Sequence, residues 1–124
     1  MIKDILFYLG GSIPLIWGIA HLFPTRSVVK GFGEITSDNK HIITMEWITE
    51  GILLVFIGMI VIGTTVIGSN NQLTDFIHLS AVFVLIILVI VSLFTGYKIN
   101  YLPFKLCPFL FLSSAILIIL GLVL

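Results

Sequence analysis

The sequence predicts an all-α integral membrane protein, an antiparallel four-helix transmembrane bundle. Three observations carry this reading. Of 124 residues, 59% are hydrophobic and only 10% are charged, whereas a soluble domain carries about 25% charged residues. Mean hydropathy is +1.24. The apolar residues also gather into four runs, each near the roughly 20 residues that cross a ~30 Å hydrocarbon core. A helix satisfies its own backbone in lipid, so each run is read as a helical span. The length suits one transmembrane domain over residues 1–124.

The first span is Ile5–Phe23. Gly18-Ile19-Ala20 could pass for a signal-peptide cleavage site, but Asp4 beside Lys3 and Pro14 within the apolar stretch fit a retained span better. The second is Ile42–Gly68. It exceeds the need, so it tilts or projects its first turns into the headgroups. The third is Phe76–Tyr97 and the fourth Phe104–Leu124. Between them lie a charged loop, Pro24–His41, an uncharged polar turn, Ser69–Thr74, and a short connection, Lys98–Pro103. Short second and third connections make an up-down bundle the simplest topology. No repeat of 20–50 residues is present.

Net charge is zero, with six basic and six acidic side chains. That argues against a nucleic-acid partner, which would need a basic face. Cys107 stands alone, so no intramolecular disulfide forms, and it reads as a small buried hydrophobe. Arg26, Lys30, Lys40, Lys98 and Lys105 share one side of the bundle, against Lys3 on the other. The positive-inside rule then places loops one and three in the cytoplasm and both termini outside.

Depth sorts the polar residues. His21 closes the first span, Glu46 and Glu50 open the second, and Tyr97, Tyr101 and Lys105 flank the third connection, all on one side. His78 and Asp75 lie at the opposite end, three residues apart, as an interface pair or cap. The separation excludes a metal site built from all these groups, and no metal-ligand spacing appears. No metal is expected. Glu46 and Glu50 share a helix face. Glu46 is a turn shallower and suits a wet helix N-terminus. Glu50 is deeper, where an unpaired carboxylate costs about 2.5–3.5 kcal/mol on the insertion scale. His21, Lys105, Tyr97 and Tyr101 are its candidate partners. Gly10, Pro14, Trp17, Gly18 and His21 fall on one side of the first span, and Gly51 and Gly58 form a smooth strip on the second. Small residues of this kind mark close helix contact in membranes. Trp17, Trp47, Tyr97 and Tyr101 also fit an interfacial aromatic belt.

Two strings, "GIAHLFPTRSVVKGF" (Gly18–Phe32) and "ITEGILLVFIGMIVI" (Ile48–Ile62), resemble the first two helices of the DoxX-like group of four-helix membrane proteins. That group repeats a G-x-x-H-F-x-x-P segment and a G-x-x-E-x-x-x-G segment. The resemblance spans Gly18–Ile62, about a third of the chain. It departs from the pattern at Trp47, where a small residue is usual, and in a proline only three residues after His21. It implies a compact four-helix bundle, with His21 and Glu50 as the carried-over site residues. The group includes a subunit linked to quinone-dependent thiosulfate oxidation, and a distantly similar group contains sterol isomerases.

The expected function is therefore an accessory or ligand-binding membrane subunit for a quinone- or lipid-like molecule. The expected lining is His21, Glu46, Glu50, Trp17, Tyr97, Tyr101 and Lys105, with quinone as the candidate cofactor. The alternatives are an acid–base enzyme on a lipid-like substrate, with Glu50 and His21 catalytic, and a structural partner of other membrane proteins. Transport is disfavoured, since inverted-repeat signs are lacking.

Overall fold

The computed structural model describes residues 1–68 and 70–124. It consists of α1 (Ile2–Leu22), α2 (Thr25–Gly31), α3 (Ser37–Ile67), α4 (Gln72–Phe94), a 3₁₀ turn (Gly96–Lys98) and α5 (Leu102–Val123). No strand occurs among the described residues. The four helices α1, α3, α4 and α5 are long and apolar enough to cross a membrane.

Helix ends differ from the apolar runs because caps, not hydropathy, set them. α3 begins five residues early, where Thr36 Oγ1 accepts from Asn39 N at 3.2 Å. It ends where Gly68 turns left-handed at φ 70°. α4 begins at Gln72 because Asn71 and Thr74 form a reciprocal capping box. Of the predicted polar turn, Ser69 lies outside the described residues. Loop one is not all loop, since its first half folds as α2. With 31 residues, α3 is roughly 46 Å long at 1.5 Å per residue. Its first turns therefore stand clear of a ~30 Å hydrocarbon layer.

The helices pack as an up-down bundle with unequal seams. α3 lies along α1, α1 against α5, and α5 against α4, while α3 and α4 barely touch. Leu54, Val61, Leu85, Phe111, Ala115 and Ile118 fill the dry centre. Large apolar side chains such as Ile16, Phe56, Phe76 and Phe83 face outward, as lipid contact allows.

The tightest seam is made of glycine. A Cβ on Gly18 would lie 2.8 Å from Gly51 O, and one on Gly58 would lie 2.5 Å from Gly11 O. Gly11 thus sits opposite Gly58 and Gly18 opposite Gly51, and the two backbones meet directly. The small-residue side predicted for the first span is divided. Gly10 and Trp17 face α5, whereas Gly18 and His21 face α3.

Proline within α1 is handled by its neighbour. Pro14 has no N–H, so the carbonyl of Gly10 loses its helical donor. Ser114 Oγ, fully buried on α5, donates to that carbonyl at 2.6 Å. A neighbouring hydroxyl re-satisfying a freed backbone group is how membrane helices tolerate proline. Ser114→Ala is expected to cost about 1–3 kcal/mol, the penalty of a buried unsatisfied acceptor. In a Pro14→Ala background the backbone regains an N–H at that position to serve Gly10 O. There, Ser114→Ala should cost under about 1 kcal/mol, since the carbonyl keeps a donor. Reversible denaturation of the four proteins in the cycle measures the difference, and equal costs in both backgrounds would refute the account.

Candidate functional site

At the loop-one end, the helices enclose a cavity of about 290 Å³. α1 contributes Trp17, Ala20 and His21 from its last turns, and α3 contributes Trp47 and Glu50. Pro24 and Val28, from the bend and α2, close one side. Tyr101, Pro103, Phe104 and Cys107 close the other at the start of α5. The walls are mostly apolar.

His21 and Trp47 hold each other. Their rings stack at 3.8 Å with 16° between planes. Trp47 Nε1–H donates to His21 O at 2.9 Å, satisfying one of the carbonyls that a helix C-terminus leaves unpaired. In return His21 Nε2 lies 3.1 Å from Trp47 O. A carbonyl only accepts, so Nε2 carries the proton. The His21 side chain is 7% exposed and Glu50 is 41% exposed. Glu50 Oε2 lies 3.7 Å from His21 Nε2, beyond hydrogen-bond reach. No hydrogen bond to the Glu50 carboxylate occurs among the described residues.

The other inward donors are spent. Trp17 Nε1–H donates to Cys107 Sγ at 3.4 Å, and the Cys107 thiol donates to Pro103 O at 3.4 Å. Cys107 is half-buried and packs against the apolar centre, with its thiol hydrogen-bonded as well. Pro108 interrupts α5 as Pro14 interrupts α1, so the carbonyl of Phe104 lacks its helical N–H donor.

Of the residues predicted to form a site, Trp17, His21, Glu50 and Tyr101 line this cavity. Glu46 is exposed and lines a separate cleft with Phe32, Ile42 and Leu53, which Glu50 also borders. Tyr97 and Lys105 are not brought to Glu50's cavity. Helix α4 stops at Phe94, and the following turn carries Tyr97 onto α5, with its ring against Phe109. Lys105 Nζ donates to Tyr97 O at 3.0 Å and lies 5.0 Å from the Tyr97 ring centroid. Sequence reasoning misses the site roles of Trp47, Phe104 and Cys107. The available signal for Trp47 is its place three residues before Glu50, on the same helix face.

At the opposite end, His78 is not an interface pair with Asp75. It is 3% exposed, its ring centroid is 4.0 Å from that of Phe7, and its Nε2 is 2.9 Å from Thr64 Oγ1. Asp75 lines the same cleft but makes no hydrogen bond or ion pair with the ring among the described residues. Its Nδ1 has no hydrogen-bond partner among the described residues. The apolar centre separates this end from Glu50. No group of three or more His, Cys, Asp or Glu side chains is placed to hold a metal ion among the described residues.

Compared with known protein families, curated proteins and solved structures, the chain matches none. The four-helix membrane architecture and the Glu50 cavity stand on the chain's own residues, and they mark it as a multi-pass membrane protein.

Proposed function

We propose that this protein binds an apolar, membrane-dissolved molecule at the loop-one end of its bundle, as a ligand-binding or accessory subunit. The observation that carries the reading is Glu50, a carboxylate without a hydrogen-bond partner among the described residues, on the wall of an apolar cavity. An acid at that depth is costly unless something meets it. Apolar pockets with a few convergent polar groups are the usual form of ligand sites. His21, fixed by Trp47, shapes the wall beside the acid. The DoxX-like resemblance over Gly18–Ile62 points to the same two residues. The excess of Lys and Arg on loops one and three would set this end in the cytoplasmic leaflet.

Extraction and mass spectrometry of purified protein tests the reading. Wild type should carry an apolar molecule that Glu50→Gln loses by about tenfold, the scale of one hydrogen bond to a charged group, and that His21→Ala, which only alters the wall beside the acid, loses less. An identical complement of bound molecules in all three proteins would refute it.

A further inference from the structure

We infer that the ligand is a single-chain amphiphile whose head donates hydrogen bonds, a hydroxyl or an ammonium, seated on Glu50 with its chain leaving through the seam between α3 and α4. This rests on the Glu50 cavity being a binding site, and it specifies what that site accepts.

The head follows from the donors and acceptors around the cavity. The inward N–H and S–H groups of Trp17, Trp47, His21 and Cys107 are all directed at protein acceptors. Among the side chains of the lining, the remaining donor is the Tyr101 hydroxyl, on an exposed residue at the rim. One acceptor on the lining, the Glu50 carboxylate, remains without a hydrogen-bond donor among the described residues. A carboxylate can only accept. A head that brings O–H or N–H therefore completes the cavity, and one that brings only carbonyl or phosphate oxygen does not. An oxidised quinone has carbonyl acceptors alone and does not fit this set. A quinol or another hydroxyl-bearing head does.

The chain follows from size and topology. A cavity of about 290 Å³ lies at the lower limit for a small ligand, so a long chain must leave it. Three seams of the bundle are closed by helix packing and the fourth, α3 against α4, is open. Glu50 borders the cavity and also the cleft beside Leu53 and Leu88. Leu53 continues into a lateral groove of about 280 Å³ with Ile57, Ile60, Ser80 and Val84. The one hydroxyl there, on Ser80, donates to its own helix at Phe76 O. The groove therefore presents a hydrocarbon surface to the bilayer, joined at one end to a carboxylate. That matches one alkyl or isoprenoid chain with a donor head.

Both tryptophans of the chain line the cavity, so their emission reports occupancy. The full chain in phosphatidylcholine nanodiscs is titrated with dodecylamine, dodecanol, methyl laurate and butylamine. Dodecylamine or dodecanol should give a saturable change, the tighter one identifying the head. Methyl laurate, which has no donor, should bind at least about tenfold more weakly. Glu50→Gln should weaken dodecylamine about tenfold and leave methyl laurate unchanged. Ser80→Phe, which fills the groove from an exposed position, should weaken the twelve-carbon donor ligands and spare butylamine. Methyl laurate binding as tightly as dodecanol would overturn the head assignment. Unchanged twelve-carbon binding in Ser80→Phe would overturn the chain route, as would a wild-type dimer that the same substitution converts to monomer. If no probe binds, butylamine included, the Glu50 cavity is not a ligand site, and the head and chain assignments fall with it.

Discussion

Gly58→Leu is expected to push α3 off α1 and to lower stability by about 3 kcal/mol or more. Overfilling a packed interior typically costs about 1–3 kcal/mol and more when the neighbours cannot yield. Here they cannot. The first added carbon would lie 2.5 Å from Gly11 O and 2.8 Å from Leu15 N, both backbone atoms. In lipid no hydrophobic force draws helices together, so close packing has to do so. Loss of the α1–α3 contact would also separate His21 from Trp47 and open the Glu50 cavity. Gly63 on the same helix is the control. A Cβ there meets nothing within 4 Å, so Gly63→Leu should not lower stability, and the better helix former gains up to about 1 kcal/mol. Reversible unfolding in mixed detergent compares the two. Equal changes at the two sites would show that interhelical contact does not set the cost at Gly58.

The glycine seam shows how far the sequence can be read. Four spans follow from hydropathy alone, because lipid leaves the backbone no other arrangement. Gly51 and Gly58 are visible as a strip because they lie seven apart. Their partners are harder to choose. Gly10 and Gly11 are adjacent and differ by roughly 100° around the helix. Only the crossing of α1 shows that Gly11 meets α3 while Gly10 meets α5. Depth alone puts His21 and Glu50 at one end of the bundle. It cannot distribute Tyr97 and Lys105, since that depends on where α4 stops and how the next turn leaves it. The seam between α3 and α4 has no signature either. A short connection implies adjacency, yet α5 takes most of the contact with α4.

Trp47 fits an interfacial aromatic belt by its place in the sequence, and substitution is the sharpest test of what it does instead. Trp47→Ala should cost about 3 kcal/mol, the low end for removing a large aromatic. It removes the His21 stack, the bond to His21 O and the edge contact with Phe104 at 5.8 Å. Trp47→Phe keeps a ring over His21 and loses one hydrogen bond, so it should cost about 1 kcal/mol. In a cycle with His21→Ala, a stacked and hydrogen-bonded pair should couple by about 1–2 kcal/mol. A residue that merely floats at the headgroups would give additive effects within about 0.5 kcal/mol. The change also reaches the chemistry of the cavity. His21 lies 3.7 Å from Glu50 with its Nε2 proton directed at Trp47 O. Freed of the indole, the imidazole can swing onto the carboxylate and occupy the acceptor that the proposed ligand needs. Trp47→Ala should therefore weaken donor-headed ligands, reported by the remaining Trp17. Adding His21→Ala to it should restore part of that binding, because the competing donor is gone. Further loss in the double variant would mean that His21 itself contacts the ligand, and not that Trp47 keeps it away from Glu50.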